Sequence, residues 1–432
     1  MYELQLSGNV VTYIDNIENR RISVLAPSCM GLFTAKTPQT NTDENAYLDA
    51  LQHPVSGQPL CKIALNKKAK TAAVIVSDIT RKVPTSKIAS HIVDELVAGG
   101  VPITGITFFV ALGVHRDATT PEMQSFVGTD LYNKINIENH DAFNEEKLIT
   151  LGTTPAGTPV SVNKKAYECD VKIVIGKVEL HEMAGFSGGR KSILPGIASA
   201  KTILVNHRPE MIFASGTGAG KLAGNPIHED MLEAARMFGV DFNVNFVVDG
   251  SEQPSRVFAG SLEESHLYAT KYVEGFVEVV LPKKPDLFII TPGSPLNCDM
   301  YQGVKALIAM HHVLDEDTAV LLYGAFPEGV NSEDFVAPFL KFPDDLDKAK
   351  DYAWNNYSIQ MDHTLPIIEI IKTGAKIIVC SENIPDELIK TLHMLPCRNL
   401  EKAIALAASL LNKKDPVVAF LPQPQRGLVS YK

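Results

Sequence analysis

The chain has 432 residues, 45% of them apolar and 21% charged, and a formal net charge of −10. This length is too great for one ordinary core and predicts two domains, and the negative charge argues against a nucleic-acid-binding surface. The six cysteines form no C-x-x-C pair, so neither a zinc ribbon nor a disulfide framework is indicated. No apolar run reaches the ~18 residues of a membrane helix and the first residues do not resemble a signal peptide, so we expect a cytoplasmic protein without a membrane partner.

The amino-terminal region leads to a first buried strand. Residues 1–26 alternate apolar and polar positions, which predicts small antiparallel strands, and residues 30–60 are rich in loop-forming residues. The apolar run at residues 71–76 predicts a buried strand. A polar loop that carries Asp78 and Arg81 follows this strand directly.

A second strand and loop repeat this order. Ser86 is a suitable N-cap for a helix that ends at Gly99-Gly100. The apolar residues of 103–111 predict the next strand, and His115 lies in the polar loop after it. Thr120-Pro121 then opens another helix, because proline is favoured in the first helical turn.

The third strand leads into the most informative stretch. Residues 171–176 predict a buried parallel strand, and His181 follows it. A small-residue turn then precedes two cations; its members are Gly185, Ser187, Gly188, Gly189, Arg190 and Lys191. Such a turn after a strand often presents backbone N–H groups to a phosphate. We therefore expect an anionic cofactor here, with a metal above it.

The rest of the chain continues the pattern of strands and helices. Residues 201–237 are predicted to be mostly helical, and Gly216–Lys221 is predicted to be a turn because its spacing fails the phosphate-loop pattern. The later predicted strands are 242–248, 287–290, 319–323 and 376–380. The later predicted helices lie near 261–275, from about 301, and near 345–354, 362–372 and 399–412.

The repeated order of strand, polar loop and helix predicts an α/β fold. Two α/β domains with mainly parallel sheets are expected, one over residues 1–280 and one over 281–432, with the active site in the cleft between them. Ligands of such sheets bind beyond the carboxyl ends of the strands. The loops that carry Asp78, His115 and His181 each follow a strand end, so they are expected to meet in one crevice.

Two histidines and a lysine are the first candidates for chemistry. His115 and His181 can each take or give a proton near neutral pH, and a pair on opposite sides of a substrate suits an enzyme that acts on both mirror images. The alternative is that both are ordinary loop histidines. Lys191 can neutralise a phosphate or act as a nucleophile, or it can be a solvated lysine at a helix start. Arg190 is either a solvated neighbour or a structural cation.

A second group of candidates comprises a lone imidazole and possible carboxylate binders. His207 has no other ligand at helical spacing, whereas a metal site needs several donors. Arg81 and Lys305 are candidate carboxylate binders, with Gln302 on the same helical face as Lys305 and Asp78 able to orient Arg81 or a cofactor. The alternative for these four residues is a set of surface salt bridges.

Seven ordered motifs resemble the nickel-dependent lactate racemase family, whose members use a nickel-pincer nucleotide. The motifs are S-D-I-T-R at 77–81, G-V-H-R at 113–116, H-E-M-A-G-F-S-G-G-R-K at 181–191, P-G at 195–196, N-H-R at 206–208, G-N-P-I-H-E-D at 224–230 and Y-Q-G-V-K at 301–305. Each motif alone is weak, but the ordered set is specific.

The resemblance implies a role for each candidate residue. Lys191 stands where the family's lysine forms a thioamide link to the pyridinium of the cofactor, a pyridinium-3-thioamide-5-thiocarboxylic acid mononucleotide, and His207 stands at the nickel ligand. His115 and His181 match the acid/base pair. The cofactor pocket would further include Asp78 and the turn of Ser187, Gly188 and Gly189. The substrate carboxylate would lie near Arg81, Gln302 and Lys305, with Tyr301 in the pocket wall.

The implied activity is racemisation or epimerisation of a 2-hydroxy acid, lactate or a relative, by reversible hydride transfer. The implied partners are this small molecule and the proteins that synthesise the cofactor, and a homo-oligomer is left open. The sequence departs from the family where Trp-x-x-Gln is common, because it has Tyr357-Ser-Ile-Gln360 with Trp354 three residues earlier. Two alternatives are a non-catalytic protein that binds the cofactor and a nicotinamide-dependent dehydrogenase, the latter disfavoured by the absence of G-x-G-x-x-G after an early strand.

Overall fold

The computed structural model describes residues 2–7, 10–15, 20–25, 28–41 and 43–432. The chain divides into two compact units. The central unit is Thr37–Gly275, and the terminal unit combines Met1–Lys36 with Phe276–Lys432. The sequence predicts one domain boundary, between residues 280 and 281, and the structure places this boundary between residues 275 and 276. The structure has another boundary, between residues 36 and 37, because the first 36 residues group with the carboxy-terminal part.

Strands and helices alternate along most of the chain. The strands are β1 (Tyr2–Ser7), β2 (Val10–Asp15), β3 (Arg20–Leu25), β4 (Cys29–Leu32), β5 (Ala72–Ser77), β6 (Ile106–Ala111), β7 (Asn136–Asn139), β8 (Leu148–Thr153), β9 (Pro159–Asn163), β10 (Val171–Lys177), β11 (Leu180–His181), β12 (Gly185–Phe186), β13 (Phe242–Val248), β14 (Pro254–Gly260), β15 (Glu278–Leu281), β16 (Leu287–Thr291), β17 (Ala319–Tyr323), β18 (Lys376–Cys380), β19 (Leu395–Cys397), β20 (Val418–Pro422) and β21 (Leu428–Tyr431). The helices are α1 (Asn45–Gln52), α2 (Leu60–Lys67), α3 (Ala89–Ala98), α4 (Thr120–Val127), α5 (Thr129–Tyr132), α6 (Lys164–Tyr167), α7 (Ala200–Asn206), α8 (Pro209–Ile212), α9 (Pro226–Phe238), α10 (Leu262–Glu274), α11 (Met300–Gly303), α12 (Lys305–Ile308), α13 (Glu333–Lys341), α14 (Leu346–Asn355), α15 (Thr364–Lys372), α16 (Asp386–Thr391) and α17 (Leu400–Leu410).

The central unit is built on a six-stranded sheet in the order β14-β13-β10-β5-β6-β7. All pairs are parallel except β13 with β14. Strands of a parallel sheet are covered on both faces, which is why β5 and β10 are nearly continuous apolar runs. Val74, Phe108 and Ile173 are fully buried in this core, and each such side chain contributes about 1.5–3 kcal/mol of burial free energy.

The chain order places three loops together at one edge of this sheet. From β5 the chain proceeds outward to β6 and β7, whereas β10 and β13 lie on the other side of β5. The point where the direction reverses is where ligands bind in open α/β sheets. The loops after β10, β5 and β6 leave neighbouring strands at this edge, as the sequence predicts.

The terminal unit has its own six-stranded parallel sheet, in the order β19-β18-β17-β16-β20-β4. The amino-terminal residues belong to this unit because β4 adds to the edge of β20. The predicted antiparallel strands before it are confirmed as the sheet β1-β2-β3. Tyr13 of β2 stacks on Phe420 of β20 with ring centroids 6.0 Å apart, so this small sheet shares a core with the larger one.

Several predicted boundaries differ from the structure, and several elements are absent from the prediction. Ser86 is not an N-cap: it lies in a short 3-10 turn, and α3 begins at Ala89. Residues 103–105 form another such turn, so β6 starts only at Ile106. The sequence prediction lacks the helices α1, α2, α13 and α16 and the strands β14, β19, β20 and β21. Among the described residues, no helix has both the length and the apolar character needed to span a bilayer.

Candidate functional site

Asp78 and His115 form a close pair at the ends of β5 and β6. His115 Nδ1 lies 2.5 Å from Asp78 Oδ2. The other carboxylate oxygen of Asp78 accepts hydrogen bonds from the Thr80 backbone N–H at 3.1 Å and from Thr80 Oγ1 at 2.6 Å. Asp78 therefore holds the Nδ1–H tautomer of His115, which leaves Nε2 as the proton acceptor of the neutral ring.

The Asp78 carboxylate is buried but is kept ionised by its neighbours. Burial raises its pKa, while the hydrogen bond from His115, the positive charge of Arg81 and the Thr80 hydroxyl lower it, and the net result is a lowered pKa. Arg81 ends the short 3-10 turn that Asp78 caps. The structure thus brings three of the predicted site residues into one electrostatic group.

His181 and Lys191 form the second pair. His181 Nε2 lies 3.0 Å from Lys191 Nζ. On the other side of the ring, His181 Nδ1 accepts from the backbone N–H groups of Met183 and Ala184, each at 3.3 Å. A neutral imidazole that accepts at Nδ1 carries its proton on Nε2, the nitrogen that faces Lys191 Nζ. The Glu182 carboxylate lies 3.6 Å from Nδ1, which is too far for a hydrogen bond.

The glycine turn after His181 packs closely against neighbouring segments of the central unit. The Gly189 N–H donates to Asn245 Oδ1 at 3.1 Å, and the Ser187 N–H donates to Glu179 O at 2.9 Å. A Cβ on Gly188 would lie 2.7 Å from Val178 Cγ2. The predicted cofactor contacts of Ser187, Gly188 and Gly189 therefore have a competing explanation, since these residues satisfy close packing within the unit.

Arg190 is a structural cation, so the alternative of a solvated neighbour is wrong. It is 1% exposed, and its Nη2 donates to the carbonyls of Ala184 at 2.7 Å and Phe186 at 2.8 Å. Burial lowers its pKa to about 9, which still leaves it charged at neutral pH. His266 contacts Arg190 Nη1, and burial together with the Arg190 charge lowers the pKa of His266. The same two causes lower the pKa of His228 to about 3.

His207 is buried and its tautomer is set by the backbone. Its Nδ1 lies 3.2 Å from Ile203 O, so Nδ1 donates and Nε2 carries the lone pair that a metal would use. Within the described part of the chain, no cluster of three or more His, Cys, Asp or Glu residues could hold a metal ion. A metal at His207 therefore needs donors from a non-protein group, and the single available imidazole fits a metal carried by a cofactor.

Backbone hydrogen bonds connect the loops that carry these residues. The Gly113 N–H donates to Gly196 O at 2.9 Å, and the Gly196 N–H donates to Lys191 O at 3.0 Å. A Cβ on Gly113 would lie 3.8 Å from Ile203 Cδ1, and Ile203 is the residue whose carbonyl holds His207. The loops of His115 and Lys191 are thus joined through two backbone hydrogen bonds, and the Ile203 side chain lies beside Gly113.

Two buried residues of α9 support the site, and the sequence reasoning assigned them no role. Asn225 Nδ2 donates to Met183 O at 2.8 Å, beside His181. Asp230 Oδ2 accepts from Asn206 Nδ2 at 2.7 Å, beside His207. Both residues belong to the motif G-N-P-I-H-E-D at 224–230. That motif was the available signal, but only the structure shows which neighbours its side chains bind.

Tyr301, Gln302 and Lys305 lie in the terminal unit, after the carboxyl end of β16. Tyr301 Oη donates to Asp362 Oδ1 at 3.0 Å, and its ring lies 4.5 Å from the ring of His363. The Gln302 N–H donates to Asp299 Oδ1 at 2.7 Å, which caps α11, and Lys305 begins α12. The three residues therefore share one short helical stretch at the edge of the second parallel sheet.

The departure from Trp-x-x-Gln is also located in the terminal unit. Gln360 Oε1 accepts from Ser332 Oγ at 3.0 Å. Tyr357 and Trp354 pack against the small apolar cluster that contains Met361, and burial raises the pKa of the Tyr357 hydroxyl well above its usual value. In this unit Gln360 thus bonds to the residue that caps α13.

A separate cavity of about 680 Å³ lies in the terminal unit, at the carboxyl ends of β17, β18 and β19. The side formed by the strand ends is lined by Tyr323, Ser381 and Arg398, and the opposite side is lined by Arg21 and Ser23 of β3. None of the candidate residues of this unit lines it. Arg398 is held there by an ion pair with Asp386 at 2.6 Å.

Comparison with known proteins decides the family. Residues 18–220 match the lactate racemase N-terminal domain, and residues 280–425 match the lactate racemase C-terminal domain. The lactate racemase of Thermoanaerobacterium thermosaccharolyticum is 32% identical over 383 residues, which cover 87% of this chain and 88% of that protein. The chain belongs to the lactate racemase family. As a member of this family it is an isomerase of the racemase class.

Other relatives agree with this family and its fold. The lactate racemase of Lactiplantibacillus plantarum is 32% identical over 369 residues, 85% of this chain and 86% of that protein. The apoprotein structure of the Thermoanaerobacterium lactate racemase matches with a TM-score of 0.86 and 29% identity over 95% of this chain and 97% of that one. A Thermotoga maritima protein that is 17% identical shares the fold, with a TM-score of 0.69 over 91% of this chain and 100% of that one.

Proposed function

We propose that this racemase interconverts the enantiomers of a 2-hydroxy acid, lactate or a close relative, by reversible hydride transfer to a nickel-pincer nucleotide bound to Lys191. His115 and His181 serve as the acid/base pair. The contact that carries the proposal is the 3.0 Å approach of His181 Nε2 to Lys191 Nζ. It joins a proton-transfer group to the amine that would be the point of attachment.

The substrate chemistry explains why a cofactor is required. The α-hydrogen of a 2-hydroxy acid is poorly acidic, because the carboxylate beside it is already negative, and its removal as a proton would need a strongly stabilising field. The nucleotide, when bound, supplies an electrophile that accepts this hydrogen as hydride and returns it to either face. The side chains of the protein must then transfer the hydroxyl proton, bind the carboxylate and exclude water.

The two histidines are held in opposite tautomers, which suits this proton transfer. Asp78 keeps the proton of His115 on Nδ1, so Nε2 can accept a hydroxyl proton. Backbone N–H groups of Met183 and Ala184 keep His181 Nδ1 as an acceptor, so its proton is on Nε2. One ring is therefore ready to take a proton as the hydroxyl carbon becomes planar, and the other offers the Nε2–H that faces Lys191.

The residues available for the cofactor fit the proposed group. Lys191 would offer its amine for covalent attachment, and His207 would offer Nε2 to nickel while Ile203 O holds Nδ1. The described residues offer no three-ligand cluster of their own, so the remaining donors would be those of the nucleotide.

The substrate carboxylate needs cationic and hydrogen-bonding partners. In the central unit we propose Arg81, whose planar guanidinium matches a carboxylate and whose charge already acts on Asp78. From the terminal unit we propose Lys305, Gln302 and Tyr301, which share the stretch after β16. We further propose that the protein acts in the cytoplasm and receives its cofactor from separate synthesis proteins.

The test uses protein loaded with cofactor by co-expression of those synthesis proteins. Single enantiomers of lactate, malate and longer 2-hydroxy acids are supplied in turn, and chiral chromatography follows the appearance of the opposite enantiomer. We expect His115→Ala and His181→Ala to retain the cofactor and to lose about 10²–10⁴-fold of turnover. His53→Ala is the matched control, because His53 Nδ1 also pairs with an aspartate, Asp49, at 2.9 Å but is exposed.

Two outcomes would overturn the proposal. One is racemisation at the normal rate by either catalytic variant. The other is loaded wild-type protein that binds the acids without interconverting any enantiomers, which would indicate a cofactor-binding protein instead. A requirement for added nicotinamide nucleotide would indicate a dehydrogenase.

A further inference from the structure

Arg190 is buried among groups that belong to the loop of His181. The carbonyls of Ala184 and Phe186 each accept from its Nη2, at 2.7 and 2.8 Å. Its Nη1 contacts His266 Nε2 at 2.8 Å and the Gly188 carbonyl at 3.3 Å. The acceptors of the two Nη atoms are thus carbonyl oxygens, because His266 Nε2 itself donates to the Ser187 carbonyl at 2.8 Å. A buried cation placed this way fixes the positions of the peptides that solvate it.

The Ala184 peptide connects Arg190 to His181 directly. Its carbonyl accepts from Arg190, and its N–H donates to His181 Nδ1 at 3.3 Å. His181 Nε2 then meets Lys191 Nζ at 3.0 Å, and Lys191 follows Arg190 in the chain. These contacts close a ring of four residues, in which a displacement of any one changes the geometry of the next.

The neighbouring peptide is held in the same way by a different side chain. The Met183 N–H is the second donor to His181 Nδ1, and the Met183 carbonyl accepts from Asn225 Nδ2 at 2.8 Å. Asn225 is fully buried. Both peptides that define the tautomer of His181 are therefore anchored from behind by a buried side chain.

We propose that Arg190 is a positioning residue that fixes the tautomer of His181 and its approach to Lys191. The inference rests on the proposed function, in which His181 exchanges a proton with substrate. Arg190 has no contact with substrate in this account, and it acts through the Ala184 peptide. Without its guanidinium the Ala184 and Phe186 carbonyls each lose a charged donor, and the Phe186 N–H still donates to the Ala184 carbonyl at 2.9 Å. The turn then relaxes, and His181 Nδ1 no longer has a fixed acceptor role.

The first measurement needs only the wild-type protein. Histidine labelled with ¹⁵N reports which ring nitrogen carries the proton, and the His181 signals are assigned by their loss in His181→Gln. We expect a protonated Nε2 and an unprotonated Nδ1. A proton on Nδ1 in the wild-type protein would overturn the inference outright, whatever the variants do.

The second measurement compares two substitutions with a matched control. Arg190→Met removes the donors at similar volume, and Arg190→Lys keeps a cation that can hold one carbonyl. We expect Arg190→Met to show mixed His181 tautomers and a kcat lower by roughly 10- to 100-fold with little change in KM, and Arg190→Lys to recover part of both. Arg398→Met is the control, because Arg398 also donates to two carbonyls, those of Ser381 and Ile384, in the terminal unit.

The outcomes separate this inference from the proposed function. A folded Arg190→Met or Arg190→Lys protein with the wild-type tautomer and kcat would contradict the positioning role. If His181→Gln keeps its turnover, the acid/base role of His181 fails, while the ¹⁵N signals still decide whether Arg190 sets the tautomer. If Arg398→Met alters the His181 signals as strongly as Arg190→Met does, the effect is general loosening and the positioning role is wrong.

Discussion

At the scale of single residues, the tautomer of His115 is set by one carboxylate. Asp78 accepts from His115 Nδ1 at 2.5 Å, and its lowered pKa keeps it negative through the neutral range. The same arrangement of a buried aspartate behind a histidine fixes the tautomer of catalytic histidines in unrelated enzymes. The Thr80 hydroxyl and N–H hold the other carboxylate oxygen, so the aspartate itself cannot rotate freely.

Asp78→Asn therefore tests the acid/base role of His115 without removing the ring. The amide can donate to Nδ1, which would place the histidine proton on Nε2 and remove the acceptor that the substrate hydroxyl needs. We expect turnover to fall about 10²-fold or more with the cofactor retained. Steady-state kinetics on loaded protein measures this. Turnover within twofold of wild type would show that the Asp78–His115 pair is structural only.

Residue types in the sequence indicated which side chains to examine, but not how they are held. His115, His181, Lys191 and His207 stand in recognisable motifs. The structure places His115 in the loop after β6, His181 at the end of β11, Lys191 in a short 3-10 turn and His207 at the C-cap of α7. The tautomers depend on partners from other segments, such as Asp78 for His115 and Ile203 O for His207. No spacing along the chain carries that information, because each partner is set by how loops meet at the sheet edge.

At the scale of elements, the glycine turn between β12 and Lys191 is shaped by packing. Gly188 has φ +78 and extended ψ, and a Cβ there would lie 2.7 Å from Val178 Cγ2. Gly128 has a similar backbone, with φ +83, but no atom lies within 4 Å of its Cβ position. A side chain at Gly128 would therefore introduce backbone strain alone, whereas a side chain at Gly188 would introduce both backbone strain and steric overlap.

Gly188→Ala should destabilise the central unit more than Gly128→Ala does. Both variants carry the strain of a side chain at positive φ, about 1–3 kcal/mol, and Gly188→Ala adds an overlap of about 1–3 kcal/mol. Urea unfolding followed by fluorescence and circular dichroism gives the two free energies of unfolding. Equal losses would mean that the turn can move away from β10, and the tight packing inferred here would be wrong.

The start of α4 contributes a pH-dependent contact beside His115. Glu122 completes the capping box with Thr119 and binds both terminal nitrogens of Arg116, at 2.9 and 2.7 Å. The hydrogen bonds from Arg116, followed by that from the Thr119 N–H, lower the pKa of Glu122 to about 2 from an ordinary value of 4.5. Since the folded pKa lies below the unfolded one, this contact stabilises fully above about pH 4.5 and is lost as pH falls towards 2.

Glu122→Gln should therefore be less stable than the wild type at neutral pH, and the difference should shrink between pH 4.5 and 2. The glutamine keeps part of the capping box but cannot form the ion pair with Arg116. Thermal unfolding midpoints measured across this range give the comparison. A difference that stays constant down to pH 2 would show that the carboxylate charge has no part in holding this loop.

The central strands were predictable from sequence, whereas the short helices were not. β5 and β10 are largely buried, nearly continuous apolar runs, and their predicted bounds agree with the structure within one residue. α1 buries only Tyr47 and Leu51, so its apolar periodicity is weak over eight residues. β14 is an antiparallel edge strand in a mostly parallel sheet, and the pattern of strand, loop and helix gives no signal for it.

At the scale of the whole molecule, family membership identifies the class of enzyme, and the structure shows which unit contains each candidate residue. The family makes the chain a racemase. The central unit contains His115, His181, Lys191 and His207, and the terminal unit contains Tyr301, Gln302 and Lys305. The amino-terminal 36 residues join the terminal unit through β4 and β20. Sequence order could not predict this, because strand pairing across most of the chain leaves no local pattern.

The central claim is that the α-hydrogen leaves and returns as hydride, while His115 and His181 handle only the hydroxyl proton. The most direct measurement is racemisation of one lactate enantiomer by loaded protein in D₂O, with the isotope at C2 of both enantiomers read by mass spectrometry. Hydride held within the site does not exchange with solvent, so we expect the newly formed enantiomer to retain protium at C2. Deuterium at C2, appearing as fast as the opposite enantiomer, would contradict the account.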